Sequence, residues 1–208
     1  MPKVFAAKVK NVLSGDTLVL SPIGGKSHQE RLLTLAHIQA PRLQSNERYA
    51  FESRELLRKL LVGKPIRFWV LYEGRNGDRE FGDVSSPVFP SLIQYVLEKG
   101  GAKLRSNLGD GDSEDADPAV EKLRDAEALA KKEKVGIWSS NVDPVEIVSR
   151  PTEKQISRSV GRAIPAIVER VISGDRVIAR LLLGGNPRQQ AILPGLIAGI
   201  KCPRTAGK

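Results

Sequence analysis

The stretch that decides the fold runs from Val4 to Arg42 and reads VFAAKVKNVLSGDTLVLSPIGGKSHQERLLTLAHIQAPR. A turn signal, Ser14-Gly15-Asp16-Thr17, separates two apolar segments, and a third apolar segment follows at 32–38. Partial alternation along the first segment favours strands over helices, with Phe5, Ala7, Val9 and Asn11 on one face and Ala6, Lys8, Lys10 and Val12 on the other. The stretch therefore predicts three consecutive β-strands.

The chain repeats this stretch near its end. A second Ser-Gly-Asp turn lies within IVERVISGDRVIARLLL, residues 167–183, and IAGIKCPR at 197–204 repeats LAHIQAPR at 35–42. Repetition of a turn and a strand end at domain-sized spacing indicates duplicated domains. Since the second copy stops after its third predicted strand, the sequence is interpreted as a fragment or a truncated gene model.

The residues between the two copies predict the remaining elements of one domain. Helical spacing after Asn46, the predicted N-cap, indicates a helix, and an acidic, glycine-containing stretch indicates a surface loop. The predicted order is helix 46–64, strands 65–72 and 81–89, helix 91–98, strand 102–104, loop 105–117 and a helix from Pro118 that ends before Gly136.

This order matches the five-stranded Greek-key barrel of the oligonucleotide-binding (OB) fold, which commonly binds single strands. The predicted fold class is α+β, a β-barrel with helices. The predicted organisation is a complete domain at 1–140, a linker at 141–160 and an incomplete second domain at 161–208.

Charge indicates the class of partner. The 208-residue chain has a formal net charge of +9. Residues 1–150 contain 23 Lys and Arg against 21 Asp and Glu, and residues 151–208 contain 10 against 3. Basic surfaces attract phosphates and release counterions on binding, which favours a nucleic acid as partner. Ordinary solubility charge is the alternative.

Other compositional features narrow the setting. No apolar run approaches the ~20 residues of a membrane span, so no membrane partner is expected. No secretory signal is visible at the N-terminus. The single cysteine, Cys202, excludes an internal disulfide and fits a reducing compartment.

Several motifs resemble the staphylococcal nuclease fold, namely SGDT, the downstream RLL and EALAKKEKVGIW at 127–138. The segments YAFESRELLRKLLVGKPIRF and REFG resemble the first such domain of the Tudor staphylococcal nuclease family, and IAGIKCP resembles the start of its second. The resemblance implies a multidomain RNA-binding protein of the cytoplasm, with a nuclear location as an alternative. It also implies roles in RNA silencing complexes such as RISC, RNA decay, splicing and transcriptional coactivation, with RNA and protein components of ribonucleoprotein complexes as partners.

The resemblance also implies where a calcium-dependent nuclease site would lie. That chemistry needs two aspartates for the metal, a glutamate to activate water and two arginines to neutralise the developing phosphorane charge. Asp16 matches the first aspartate and Arg31 the first arginine. The second aspartate falls on Gln39, or on His37 if the gap slides, while the glutamate falls on Arg42 and the second arginine on Asp83. No catalytic or metal-binding residue is therefore assigned beyond the remnants Asp16 and Arg31, and Ca²⁺ is expected as a cofactor only if the site functions.

In the second copy Asp175 is retained, but Lys201 and Arg204 occupy the places of the second aspartate and the glutamate. A purely structural role for Asp16, in an Asx-type turn, remains an alternative. The predicted nucleic-acid contacts are Lys8, Lys10, Arg31, Arg176 and Arg180.

Three functions remain compatible with the sequence. The first is a nucleic-acid-binding module with a degenerate nuclease site. The second is a protein-interaction scaffold within a larger ribonucleoprotein assembly. The third is an active metal-dependent nuclease.

Overall fold

The structure, a computed structural model, describes residues 3–24, 29–74, 79–106, 118–148, 151–153, 157, 160–183 and 188–203. The chain divides into two compact units, Met1–Asp143 and Pro144–Lys208. Most of the predicted acidic loop, as well as Arg204, lies outside the described residues.

The first unit is built on a closed five-stranded barrel. Its strands follow the order β1-β2-β3-β6-β5, and all neighbours are antiparallel except β3 and β6. A separate pair, β4 and β7, lies beside the barrel. The strands are β1 Val4–Ser14, β2 Thr17–Pro22, β3 Arg31–Leu35, β4 Ile38–Gln39, β5 Pro65–Glu73, β6 Glu80–Ser85 and β7 Lys103–Leu104; the helices are α1 Ala50–Leu61, α2 Leu92–Glu98 and α3 Pro118–Lys132. The predicted OB-type barrel with helices is confirmed.

Strand β1 departs from simple alternation. Ala7, Val9 and Val12 are all buried in the barrel core, although alternation predicts Val12 on the face of Lys8 and Lys10. A register shift in the β1–β2 pairing between Val9 and Asn11 supplies the reason, and a second shift follows Val12. A β-bulge inserts one residue and thereby transfers the following side chains to the other face.

Helices α1 and α2 contribute buried side chains to the barrel core. The shared core includes Leu57 and Leu61 of α1 and Val96 and Leu97 of α2. Helix α1 begins at Ala50, not after an N-cap at Asn46. The preceding residues form turns instead, because Asn46 and Tyr49 both adopt positive φ, 49° and 67°.

The second unit contains a four-stranded sheet in the order β8-β11-β10-β9. Its strands are β8 Glu146–Ile147, β9 Ala166–Ser173, β10 Arg176–Leu182 and β11 Gln189–Leu196. Three of them correspond to the three strands predicted for the second copy. Part of the predicted linker also belongs to this sheet, since β8 pairs in parallel with the start of β11.

Within the part of the chain that the structure describes, no helix combines the length and apolar character required to cross a membrane.

Candidate functional site

Asp16 fastens the first turn to the end of β3 through its backbone carbonyl and to the residue after β4 through its carboxylate. Its Oδ1 accepts hydrogen bonds from Ser14 Oγ at 2.6 Å and Thr17 Oγ1 at 3.0 Å. Its Oδ2 accepts from the Ala40 backbone N–H at 3.0 Å, and its backbone carbonyl accepts from Leu35 N–H at 2.7 Å. We call this arrangement the Asp16 clasp. The predicted role of Asp16 in the turn covers Oδ1, and the bond from Ala40 gives Oδ2 a second, long-range structural contact.

A cleft of about 460 Å³ opens beside the clasp, and we call it the arginine cleft. Asp16, Gln39 and Arg42 line it, so the structure brings together three positions that the sequence grouped. Arg79 and Arg105 line the same cleft and were not predicted. The described lining of the cleft thus combines three cations with one carboxylate, whose oxygens already accept hydrogen bonds.

The β4–β7 pair places Arg105 in the cleft. Its backbone N–H donates to His37 O at 2.8 Å and its Nε donates to Ile38 O at 2.8 Å. The guanidinium carbon lies 5.5 Å from the centroid of the Phe81 ring. These contacts hold the Arg105 guanidinium in place beside the cleft that it lines.

A second cleft of about 500 Å³ shares residues 39–42 with the first. Its lining adds the cations Arg48 and Lys103 and the carboxylate Glu47. Glu47 Oε2 accepts from the Arg42 backbone N–H at 2.9 Å, and Arg48 donates to the carbonyls of Ser139 and Val142. Of the residues that the structure describes, five cationic side chains and two carboxylates line the two clefts together.

Arg31 does not lie in either cleft. It follows the same phase as Leu33 and Leu35 on β3, so its side chain lies on the core side of the strand. There it forms a bidentate pair with Glu80, at 2.9 and 2.5 Å, and its guanidinium stacks over the rings of Phe5 and Phe68 at 4.5 and 4.8 Å. These contacts indicate a structural role for Arg31 in place of the predicted phosphate contact.

Asp83 also does not line either cleft. It is buried, and its Oδ1 accepts from the backbone N–H groups of Val84, Leu92 and Ile93 at 2.7–3.1 Å. Burial raises the pKa of the Asp83 carboxyl, while hydrogen bonds from Ser91 and these backbone groups act in the opposite direction. Asp83 therefore anchors the N-terminus of α2.

The predicted lysine contacts lie on the outside of the barrel. Lys8 and Lys10 are exposed on β1, and Lys10 forms an ion pair with Glu30. Neither residue lines the two clefts. The predicted contacts of Lys8 and Lys10 with nucleic acid therefore stay a prediction, on a surface outside the two clefts.

The second unit repeats the clasp, and Arg204, the counterpart of Arg42, lies outside the described residues. Asp175 accepts from Ser173 Oγ at 2.5 Å and from the Cys202 backbone N–H at 3.5 Å, and the Ser173 hydroxyl lowers the pKa of its carboxyl. Arg176 is exposed at the start of β10. Arg180 is buried against Glu169 and Gln190, which is unlike the exposed phosphate contact that was predicted.

Comparison with known proteins now identifies the architecture. Residues 32–140, from β3 to the end of the α3 region, match the family model described as staphylococcal nuclease homologue. The chain belongs to the staphylococcal nuclease homologue family.

The relatives of this nuclease-family chain also confirm the predicted resemblance to Tudor staphylococcal nuclease proteins. The chain is similar to staphylococcal nuclease domain-containing protein 1 of Schizosaccharomyces pombe, with 30% identity over 99% of the chain and 24% of that protein. It is 30% identical to ribonuclease TUDOR 1 of Arabidopsis thaliana, over 94% of the chain and 21% of that protein. Staphylococcal nuclease domain-containing protein 1 of Drosophila melanogaster is 28% identical over 97% of the chain and 23% of that protein. The chain thus spans about a quarter of the length of these curated relatives.

A calcium ion of the kind that staphylococcal nuclease chemistry requires does not fit the donors of the arginine cleft. Calcium takes about six to eight oxygen ligands, with carboxylates prominent among them. Among the described residues that line the cleft there is one carboxylate, Asp16, whose oxygens accept three hydrogen bonds, beside Gln39 and three arginines. Among the residues that the structure describes, no group of three or more His, Cys, Asp or Glu side chains is arranged to hold a metal ion.

Proposed function

We propose that the first unit is an RNA-binding module that contacts phosphate groups in the arginine cleft and does not cleave the strand. The observation that carries this proposal is the convergence of Arg42, Arg79 and Arg105 beside the Asp16 clasp. Arginine guanidinium groups donate in a planar fork that matches phosphate oxygens. Such contacts give affinity without reading the base sequence.

The same residues argue against hydrolysis. Arg42 occupies the position implied for the base that would activate water, and an arginine guanidinium stays protonated in proteins, so it cannot accept a proton near neutral pH. Gln39 is uncharged, and the Asp16 oxygens are committed to the clasp. We therefore expect binding with no calcium-stimulated cleavage.

RNA is favoured over DNA because two relatives are named ribonucleases. The resemblance to the Tudor staphylococcal nuclease family further supports a role in RNA silencing, RNA decay or transcriptional coactivation. On that basis the module would act with protein components of silencing or other ribonucleoprotein complexes, in the cytoplasm and in the nucleus as an alternative site.

The binding test uses fluorescence anisotropy with the full chain and a labelled single-stranded RNA at increasing salt. Three arginine–phosphate contacts predict a slope of log affinity against log salt of about −2, which is roughly a 20-fold loss between 50 and 200 mM salt. Arg42→Gln, Arg79→Gln and Arg105→Gln should each reduce the slope by about 0.7 for RNAs of any sequence. The matched control is Arg67→Gln, an exposed arginine of β5 outside the two clefts.

Two outcomes would contradict the proposal. A folded chain without measurable RNA affinity at low salt would favour the scaffold function instead. Cleavage of the RNA that depends on calcium, stops with chelator and is lost in Asp16→Asn would favour the nuclease function.

A further inference from the structure

A β-bulge in β5 sets the direction of one aromatic side chain. Val70 pairs with Gly82, but the next pair is Tyr72 with Phe81, so Leu71 is the extra residue. In regular pairing Tyr72 would lie opposite Glu80. Bulges of this kind redirect side chains and are common next to binding sites.

Gly82 makes the bulge possible. A Cβ atom at this position would lie 2.0 Å from the backbone oxygen of Trp69 and 3.1 Å from Val70 Cα. The partner in this approach is backbone, which cannot rotate away as a side chain can. The close contact between β5 and β6 at this point therefore requires glycine.

The bulge brings together three aromatic side chains, which we call the aromatic ledge: Tyr72, Phe81 and His37. The rings of Tyr72 and Phe81 stack with centroids 4.9 Å apart and 16° between planes. The His37 ring lies 6.1 Å from Tyr72, tilted by 58°. Phe81 packs against the barrel core, whereas Tyr72 remains 42% exposed. Core packing thus accounts for Phe81 and leaves the exposed Tyr72 ring unexplained.

The aromatic ledge is continuous with the arginine cleft. The Arg105 guanidinium lies over the Phe81 ring and also lines the cleft. Arg79, which lines the cleft as well, directly precedes β6, two residues before Phe81. A cationic groove next to an exposed aromatic ring is the combination that binds single-stranded nucleic acid, because phosphates and bases alternate along the strand.

We propose that Tyr72 stacks on an unpaired nucleobase of an RNA strand whose phosphate lies in the arginine cleft. This inference rests on the proposed function. It adds a contact to the nucleobase, whereas the arginine cleft contacts only the phosphate. Bases in a duplex are stacked on each other, and only an unpaired base presents a free face to a side chain. The aromatic ledge therefore selects single strands over duplexes.

The test compares Tyr72→Ala with Tyr72→Phe in the full chain, using anisotropy with single-stranded RNA. Loss of one stacked base should weaken binding between about 5- and 150-fold in Tyr72→Ala, and Tyr72→Phe should bind like the wild type. The salt slope should not change, because stacking involves no phosphate. Leu71→Ala is the matched control, since this neighbouring bulge residue is also exposed. Far-ultraviolet circular dichroism checks the folding of each variant.

A second measurement keeps the proposal testable if Tyr72→Ala does not fold. The wild-type chain should bind an RNA with abasic positions more weakly than an intact RNA of equal length and charge, and should bind duplex RNA more weakly than single strands. Equal affinity for the intact and abasic RNAs overturns the stacking site while leaving the arginine cleft as a phosphate site. Tyr72→Ala that binds like Tyr72→Phe, while Arg105→Gln is weakened, overturns the stacking site in the same way. A wild-type chain that binds no RNA overturns both proposals.

Discussion

The two units carry the same turn in two different surroundings. The Asp16 carboxylate accepts from the Ala40 backbone N–H at 3.0 Å, and the Asp175 carboxylate accepts from the equivalent Cys202 N–H at 3.5 Å. The backbone carbonyls of the two aspartates also form equivalent bonds. Asp16 O accepts from Leu35 N–H at 2.7 Å, and Asp175 O accepts from Ile197 N–H at 2.8 Å. The local sequence therefore determines the clasp in both copies.

Equivalent residues of the two copies differ in how deeply they are buried, although the local sequences are similar. Val12 is 2% exposed and its counterpart Val171 is 66% exposed, and Ile38 is fully buried while Ile200 is 54% exposed. In the first unit β5, β6, α1 and α2 close over these positions. Within the described residues 144–148, 151–153, 157, 160–183 and 188–203, the four-stranded sheet has no counterpart of those elements. The motif therefore specifies strands and a clasp, while distant elements supply the core.

The strongest test of this comparison truncates the same isoleucine in each copy. Ile38→Ala removes a fully buried side chain and should lower the free energy of unfolding by about 2–5 kcal/mol. Ile200→Ala should change stability by no more than about 0.5 kcal/mol, because the side chain is already half exposed.

Both tryptophans, Trp69 and Trp138, lie in the first unit, so urea unfolding followed by their fluorescence reports on that unit. Amide hydrogen exchange in β9–β11 reports on the second. Equal losses from the two substitutions would show that the two positions have equivalent surroundings.

The glycine of the turn offers a test of intermediate size. A Cβ atom on Gly15 would lie 1.7 Å from Ser53 Oγ and 2.9 Å from Ser53 Cβ, and Ser53 is buried and donates to Gly101 O. Gly15→Ala should therefore cost about 1–3 kcal/mol through overpacking. At Gly174 a Cβ atom meets Cys202 Sγ at 2.7 Å, and this half-buried thiol can rotate away, so Gly174→Ala should cost less.

Chemical denaturation of both variants checks which substitution costs more stability. Tryptophan fluorescence reports on Gly15→Ala, and amide hydrogen exchange in β9–β11 reports on Gly174→Ala. A Gly174→Ala chain that is the less stable of the two would reverse the comparison.

The smallest effect concerns pH, for which the two units contain carboxyls with opposite shifts. Burial raises the pKa of Asp83 above its ordinary value of 3.8, so the folded first unit binds that proton more tightly than the unfolded chain does. The contribution of the protonated Asp83 carboxyl to stability is complete below pH 3.8 and declines as pH rises through its folded-state pKa. The hydroxyl of Ser173 lowers the pKa of Asp175, whose contribution is present above pH 3.8 and is lost as pH falls through the folded-state pKa.

The measurement is a pH series between about 3 and 7 on the wild type, Asp83→Asn and Asp175→Asn. The stability of the wild type relative to Asp83→Asn should fall as pH rises. Protection of β9–β11 relative to Asp175→Asn should rise over the same interval. Slopes of the same sign in both comparisons would contradict the assigned directions.

Much of the fold could be predicted because it depends on neighbours in sequence. Alternating side chains predict the barrel strands, and the glycine-aspartate turns predict both hairpins. Helical spacing places the start of α1 four residues early, because the turns at 46–49 depend on contacts of Arg42 and Glu47 that such spacing does not reveal.

The site was harder to predict because distant strands assemble it. Arg105 reaches the cleft only through the pairing of β4 with β7, whose partners Ile38 and Leu104 are far apart in the chain. The position of Arg31 could have been predicted from the sequence, because it alternates in phase with Leu33 and Leu35 and so lies on the core side of β3. The match of Arg31 to the first catalytic arginine led instead to the prediction of a phosphate contact. Asp83 could not have been placed in this way, because its partners at the start of α2 become neighbours only after folding.

The clasp of the second unit has a practical consequence for observing the two units separately. All tryptophans, tyrosines and phenylalanines lie before residue 90 or at Tyr95 and Trp138, within the first unit, while the single cysteine lies in the second. Cys202 is half buried, and its backbone N–H is the one held by Asp175. The rate at which a thiol reagent labels Cys202 therefore reports on the exposure of this side chain next to the clasp, in a signal to which the first unit cannot contribute.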